Sequence, residues 1–174
     1  MPTASLPSYL SEEILLHPEK REFPPFDLVR LLGTVFKPTQ GCRVCILTDF
    51  DEPAALIKDF AFLKKEGFPV QKKAHEAFYQ GLQNGAMEAL GLNGGEMYAY
   101  KTTHGPNLDL EDEVWDTAGR QLSLDKDIYP NYDLILCIST FSATAPLPAK
   151  CTVFGFRGAT LHRRNDIILA SGLG

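Results

Sequence analysis

What the chain lacks narrows its reading first. No stretch approaches the roughly 18 consecutive apolar residues of a membrane-spanning helix, and no Lys/Arg-rich run suits a nucleic acid or an anionic membrane surface. The start, Met1-Pro2-Thr3-Ala4-Ser5, has no charged segment leading into an apolar one, as a secretory signal would. Cytoplasm is therefore the expected location. No H-E-x-x-H, G-x-S-x-G or G-x-x-x-x-G-K-[ST] occurs, and no internal repeat or low-complexity tract. Cysteine is sparse at four residues, with a single C-x-x-C, Cys42 and Cys45. Residues three apart on a strand point to opposite faces, and no second pair completes a zinc site, so buried, inert thiols are expected.

What is present is ordinary for a single globular domain. The chain has 174 residues, 44% hydrophobic and 22% charged, enough to bury a core. A net charge of -5 and a pI near 5.3 add to the case against nucleic acid as a partner. Residues 1–24, rich in proline and serine, read as an N-terminal arm with a short helix after Ser11. Residues 25–174 read as one α/β domain.

The organising stretch is Arg43-Val44-Cys45-Ile46-Leu47-Thr48-Asp49-Phe50, whose short apolar run suits a buried central strand, followed by Asp51-Glu52-Pro53. A helical stripe at positions 28, 29, 31, 32, 35 and 36 precedes it. A second, from Pro53 to Glu66, predicts Leu56, Ile57, Phe60 and Leu63 as its buried face. Phe68-Pro69-Val70 reads as an edge strand or connector. A long helix over 71–90 follows, with Ala74, Phe78, Leu82, Met87 and Leu90 buried and Gly81 and Gly85 weakening it. Strands are expected at Met97 to Thr103, Tyr132 to Ile138 and Gly158 to Leu161, a hairpin around Gly119, and a helix from Pro146 to Phe154. The acidic run Asp109, Glu111, Asp112, Glu113 reads as a solvated loop. Asn165 reads as the cap of a final helix. Alternating strands and helices predict a three-layer α/β fold, with a mostly parallel sheet of about four strands and a possible hairpin insertion.

In such a fold, the C-terminal strand ends gather Asp49, Asp51, His104 and the hydroxyl-rich loop with Ser139, Thr140 and Ser142. These are the candidate site residues: Asp49, Asp51 and His104 for catalysis, and Ser139, Thr140 and Ser142 for a peptide or small-molecule ligand. No ligand set for a resident metal is visible, and no cofactor is evident. Asp51 and Glu52 read as caps of the helix opened by Pro53. His104, without Cys or His partners, reads as a solvated loop residue.

Two resemblances attach to these residues. Leu47-Thr48-Asp49-Phe50-Asp51 resembles the strand-end D-x-D of haloacid-dehalogenase-type phosphotransferases. That implies Asp49 as nucleophile, Asp51 as general acid, Mg²⁺ as metal, Ser139 or Thr140 binding phosphate and Lys150 stabilising charge. The family's later acidic pair has no counterpart, since His162-Arg163-Arg164 follows Leu161. Over residues 26–170 the order of elements is similar to the N-terminal domain of metallo-aminopeptidases of the aminopeptidase T type. It rests on the Pro38-to-Gly41 turn, the Arg43-Val44-Cys45-Ile46 strand, Glu66-Gly67, the 132–138 strand, the 139–144 loop and Gly158-Ala159-Thr160-Leu161. That resemblance implies a non-catalytic half supporting assembly or substrate access, with the metal site in a further domain, and Gly174 as the end of a truncated chain. Apolar residues in the arm (Leu6, Tyr9, Leu10, Ile14, Leu15, Leu16) and at 167–170 predict a homodimer.

Overall fold

The computed structural model describes residues 25–164 and 167–173, the last two strands beyond Leu161 by their backbone alone. The expected arm at 1–24 and the cap at Asn165 lie outside the described residues. Helix α1 spans Leu28–Val35, its first turn capped by Asp27, whose carboxylate accepts the Arg30 N–H at 3.1 Å. Strand β1, Arg43–Phe50, is buried at seven of its eight positions, as a central strand between two helical layers must be.

The chain then crosses the sheet. Helix α2 is only Pro53–Ile57, with Pro53 in its first turn. A tight 3₁₀ segment, Lys58–Lys64, follows, in which Asp59 and Phe60 adopt left-handed conformations with φ of 49° and 52°. This departs from the continuous helix expected to Glu66. The Asp59 N–H leaves the helix to reach the Thr117 carbonyl at 2.9 Å. Leu56 and Ile57 are buried as expected and Phe60 partly so; beyond the kink the phase changes, so that Phe62 is buried and Leu63 exposed.

Phe68-Pro69-Val70 is no strand: Phe68 is left-handed and Pro69 opens helix α3, residues 69–90. Helix α3 is regular at Pro69–Lys73 and widens at Ala74–Tyr79 and Leu82–Ala86; it kinks at Asn84 and Gly85, whose backbone is not helical (Gly85 φ 142°), before a last turn at Met87–Leu90. Wide turns keep every fourth residue aligned, so Ala74, Phe78, Leu82 and Ala86 face the core. Met87 and Leu90, expected there, are only partly buried. Gly81 is a packing residue: a Cβ there would stand 2.8 Å from a Leu28 methyl, so glycine sets the approach of α1 to α3.

Strand β2 is Asn93–Lys101, and it begins four residues earlier than the sequence suggests. Its register on β1 slips between Val44 and Cys45, where Gly94 and Gly95 form a bulge with φ near 87°. Strands β3, Glu113–Trp115, and β4, Gln121–Ser123, form the expected hairpin. Asp116 closes it by accepting from Ala118 N, Arg120 N and the Arg120 guanidinium at 2.8–3.0 Å. Strand β5 is Leu134–Ser139, helix α4 is Pro146–Phe154, and strand β6 is Arg157–Arg164. The final apolar run is strand β7, Ile167–Leu173, pairing antiparallel with β6, and not the helix expected from Asn165.

The sheet order is β4-β3-β2-β1-β5-β6-β7. It is mixed and seven-stranded, and not the mostly parallel sheet of about four strands that alternation suggests. The parallel centre β2-β1-β5-β6 is extended at both edges by antiparallel strands. Helices α1, α2 and α3 cover one face, over Val44, Ile46 and Phe50. The 124–131 turns and α4 cover the other, over Cys45, Leu47 and Ile135. The three-layer α/β architecture is as expected. Among the described residues no helix is long and apolar enough to cross a membrane.

Candidate functional site

From β1 the chain moves outward to β2, β3 and β4, then returns to lay β5 on the other side of β1. The direction of winding reverses between β1 and β5. In open α/β sheets the crevice beyond the strand C-termini at such a switch is where ligands bind. Asp49 and Thr140 stand at this point.

Asp49 is 1% exposed. Its Oδ1 accepts the Thr140 backbone N–H at 2.8 Å and the Thr140 hydroxyl at 3.1 Å. A third donor comes from across the sheet. Gln71, in the first turn of α3, places Nε2 at 3.0 Å from that Oδ1, 2.7 Å from the Asp49 carbonyl and 2.9 Å from Thr140 Oγ1. A buried carboxylate is costly unless its charge is satisfied. Here neutral donors converge on Oδ1, and in doing so they tie β1, β5 and α3 together.

Asp51 lies just past the strand and behaves differently. Its Oδ1 meets His104 Nε2 at 2.9 Å, with the two side chains 72% and 67% exposed. It shares none of Asp49's partners. It does not cap α2 either: the residue at the cap is Glu52, and no side chain bonds the first turn. The helix-capping role expected of Asp51 and Glu52 is thus replaced by pairing with His104. That residue sits in a left-handed turn with φ of 55°, and the Thr103 hydroxyl donates across the turn to the Gly105 carbonyl at 2.7 Å.

The hydroxyl-rich loop is spent on its own architecture. Ser139 is buried and donates to the Phe141 carbonyl at 2.6 Å. Ser142 Oγ lies 2.6 Å from Thr144 Oγ1 and donates to Asn107 Oδ1 at 3.3 Å. Asn107 in turn donates its N–H to the Ser142 carbonyl at 2.7 Å and accepts from Ala145 N at 3.1 Å. The loop after β2 is thereby pinned to the loop after β5. Lys150 is not here. It pairs with Asp125 at 2.8 Å on the side of α4.

The two thiols of the C-x-x-C do not converge. Cys42 packs in the core under α1–α3 and Cys45 in the core under α4, so the C-x-x-C is split across the sheet. Burial raises the pKa of both thiols, and it pushes the Cys137 thiol up to about 11, so all three stay protonated near neutral pH. No cluster of three His, Cys, Asp or Glu disposed to hold a metal occurs among the described residues.

Of the candidates, then, Asp49 and Thr140 are brought into contact, Asp51 and His104 into another, and Ser139 and Ser142 into neither. Gln71 was missed. A polar residue in the first turn of a helix carries no periodic signal, and only the return of α3 over the strand ends gives it a role. Compared with protein-family models, with curated proteins and with solved structures, the chain matches none.

Proposed function

We propose that this chain is a non-catalytic α/β domain that supports assembly or substrate access for a catalytic unit lying outside it. The order of its elements makes a metallo-aminopeptidase-like protein the most specific candidate for that unit. The observation that carries this is the state of Asp49. A nucleophilic carboxylate must present a lone pair to an incoming substrate. Asp49 Oδ1 takes three donors and the residue is almost wholly enclosed. The remaining titratable pair at the strand ends, Asp51 and His104, stands open to water, where a fixed dipole or charge stabilises a transition state far less than in an enclosed site.

The phosphohydrolase reading keeps one observation in its favour: Asp49 and Thr140 do adjoin at parallel strand ends, 2.8 Å apart. Of the other residues that chemistry would use, Lys150 pairs with Asp125 away from the strand ends, and the Thr140 hydroxyl is given to Asp49 itself.

The test is an assay of the purified chain on leucine p-nitroanilide with Zn²⁺ or Co²⁺, and on p-nitrophenyl phosphate with Mg²⁺. Neither substrate should be turned over above buffer, and Asp49→Asn should change nothing. Turnover that disappears in Asp49→Asn would establish the phosphohydrolase instead.

A further inference from the structure

Helix α1 carries more apolar surface than it buries. Leu28, Leu32 and Phe36 lie in the core, whereas Val35 on its flank is 50% exposed and Phe26, just before it, 59%. Three clefts meet along this flank. The first, of about 450 Å³, opens between the chain at Pro25 and the kink of α3 at Asn84 and Gly85. The second, of about 300 Å³, shares Phe26, Asp27 and Arg30 with the first and adds Leu31 and Val35. The third, of about 60 Å³, shares Leu31 and Val35 with the second and extends to Leu136, Ala159 and Leu161 on β5 and β6. The shared residues make these clefts one furrow, from Pro25 along α1 to the sheet. Its far part is lined by apolar residues alone, and exposed Asp27, Arg30 and Thr34 edge its middle, a pattern that marks an interaction surface.

The furrow begins where residues 1–24 join the domain. Phe26 packs on Phe78 of α3, ring centres 5.7 Å apart, and the Arg30 guanidinium donates to the Pro25 carbonyl at 3.2 Å. These contacts fix the entry of the chain at the mouth of the furrow. The 24 residues before Pro25 contain Leu6, Tyr9, Leu10, Ile14, Leu15 and Leu16. Residues 17–25 separate Leu16 from Phe26, a reach of up to about 30 Å when extended, against about 12 Å for the length of α1. A tether of this length holds its cargo at an effective concentration in the millimolar range, on the order of a thousand-fold above a second copy at micromolar protein. Proximity therefore favours the chain's own segment over a neighbour's.

We infer that the furrow is the docking surface for residues 6–16 of the same chain, whose apolar side chains cover Phe26, Leu31 and Val35. The arm is then a strap that closes the α1 side of the sheet, and the side chains expected to pair two copies are taken up within one. Catalysis does not enter into this assignment, so the outcome of an enzyme assay leaves it untouched.

The experiment is a ¹⁵N–¹H NMR measurement on the whole chain carrying a nitroxide label at Lys37→Cys, an exposed position just past α1. The background is Cys151→Ser, because the other three thiols are buried. Amide signals of residues 6–16 should lose most of their intensity to the label and regain it when the nitroxide is reduced. Unlabelled ¹⁵N chain mixed with labelled ¹⁴N chain should show no such loss. Val35→Asp, which places a charge in the furrow, should restore most of the intensity, while Leu63→Asp, exposed but away from the furrow, should not. Unchanged signals from β1 and β5 check that both variants keep the fold. Loss in the mixed sample would give the furrow to a second copy and overturn the proposal. So would full intensity of residues 6–16 beside the label, or a loss indifferent to Val35→Asp.

Discussion

Asp49 and Thr140, at the ends of neighbouring parallel strands, are joined twice: the Thr140 N–H and hydroxyl both donate to one carboxylate oxygen, at 2.8 Å and 3.1 Å. If this pair is a structural staple, Asp49→Ala should lower unfolding free energy by about 2–4 kcal/mol, because buried donors on Thr140 and Gln71 lose their acceptor. Asp49→Asn keeps an acceptor oxygen and should cost less. Urea denaturation measures both, and a double-mutant cycle with Gln71→Ala should show non-additivity. An unchanged midpoint for Asp49→Ala would contradict the structural role.

Thr48, one residue earlier, is fully buried and its hydroxyl has no partner among the described residues. Valine has nearly the same shape without that hydroxyl. Thr48→Val should therefore be neutral or stabilising, by up to about 1–2 kcal/mol. Thermal unfolding would check it; a clear loss of stability would mean that the hydroxyl is satisfied in solution.

His75 lies 8% exposed among aromatic rings, 4.7 Å from Phe60 and stacked on Tyr79 at 5.2 Å. Desolvation lowers its pKa from the ordinary value. The unfolded chain then binds the proton more readily than the fold does. The contribution of His75 is fully present above about pH 6.5, the unfolded value, and is lost as pH falls through the depressed folded value. Urea midpoints between pH 5 and 8 should fall on the acid side, and His75→Phe should flatten that limb. A limb of equal steepness in the variant would assign it to other groups.

The bulge opposite Val44 gives a sharper backbone test. A Cβ on Gly94 would stand 2.6 Å from the Val44 carbonyl oxygen, at a φ of 86° that L-residues rarely adopt. The contact is with backbone in the centre of the sheet, which has little room to give. Gly94→Ala should destabilise by several kcal/mol, about 2–4. At Gly155, also at positive φ but with open space around it, alanine should cost about 1 kcal/mol. Chemical denaturation of the two variants tests the contrast, and equal losses would mean that φ alone is responsible.

The central strands were readable because they are buried on both faces, so β1 and β5 carry continuous apolar runs that no surface element could afford. Their directions follow from the helices between them, and with that the meeting of Asp49 with Thr140. The edges were not readable. Strand β6 spans Arg157–Arg164 and ends in His162, Arg163 and Arg164, a composition that reads as a loop. Asn165-Asp166 suits a cap as well as it suits the link between two antiparallel strands. Gly94 and Gly95 look like helix breakers because the bulge that needs them exists only once β1 lies alongside. The fate of Asp51 was hidden for a similar reason: a left-handed turn at His104 brings an imidazole to it from another strand, and local sequence holds no trace of that.

The placement of β1 has a consequence for the chain while it is being made. One edge of β1 is filled by β2 soon after it, but the other waits for β5, and the bond from Arg43 N to Asp133 spans 90 residues. At a synthesis rate of 5–20 residues per second, that interval is on the order of 5–20 s. For that time the central strand of the sheet emerges from the ribosome with an open flank, a template for another nascent chain. Asp49 sits at the end of that flank, still unpaired and solvated. Its charge discourages wrong pairing until Thr140 arrives to take it inside.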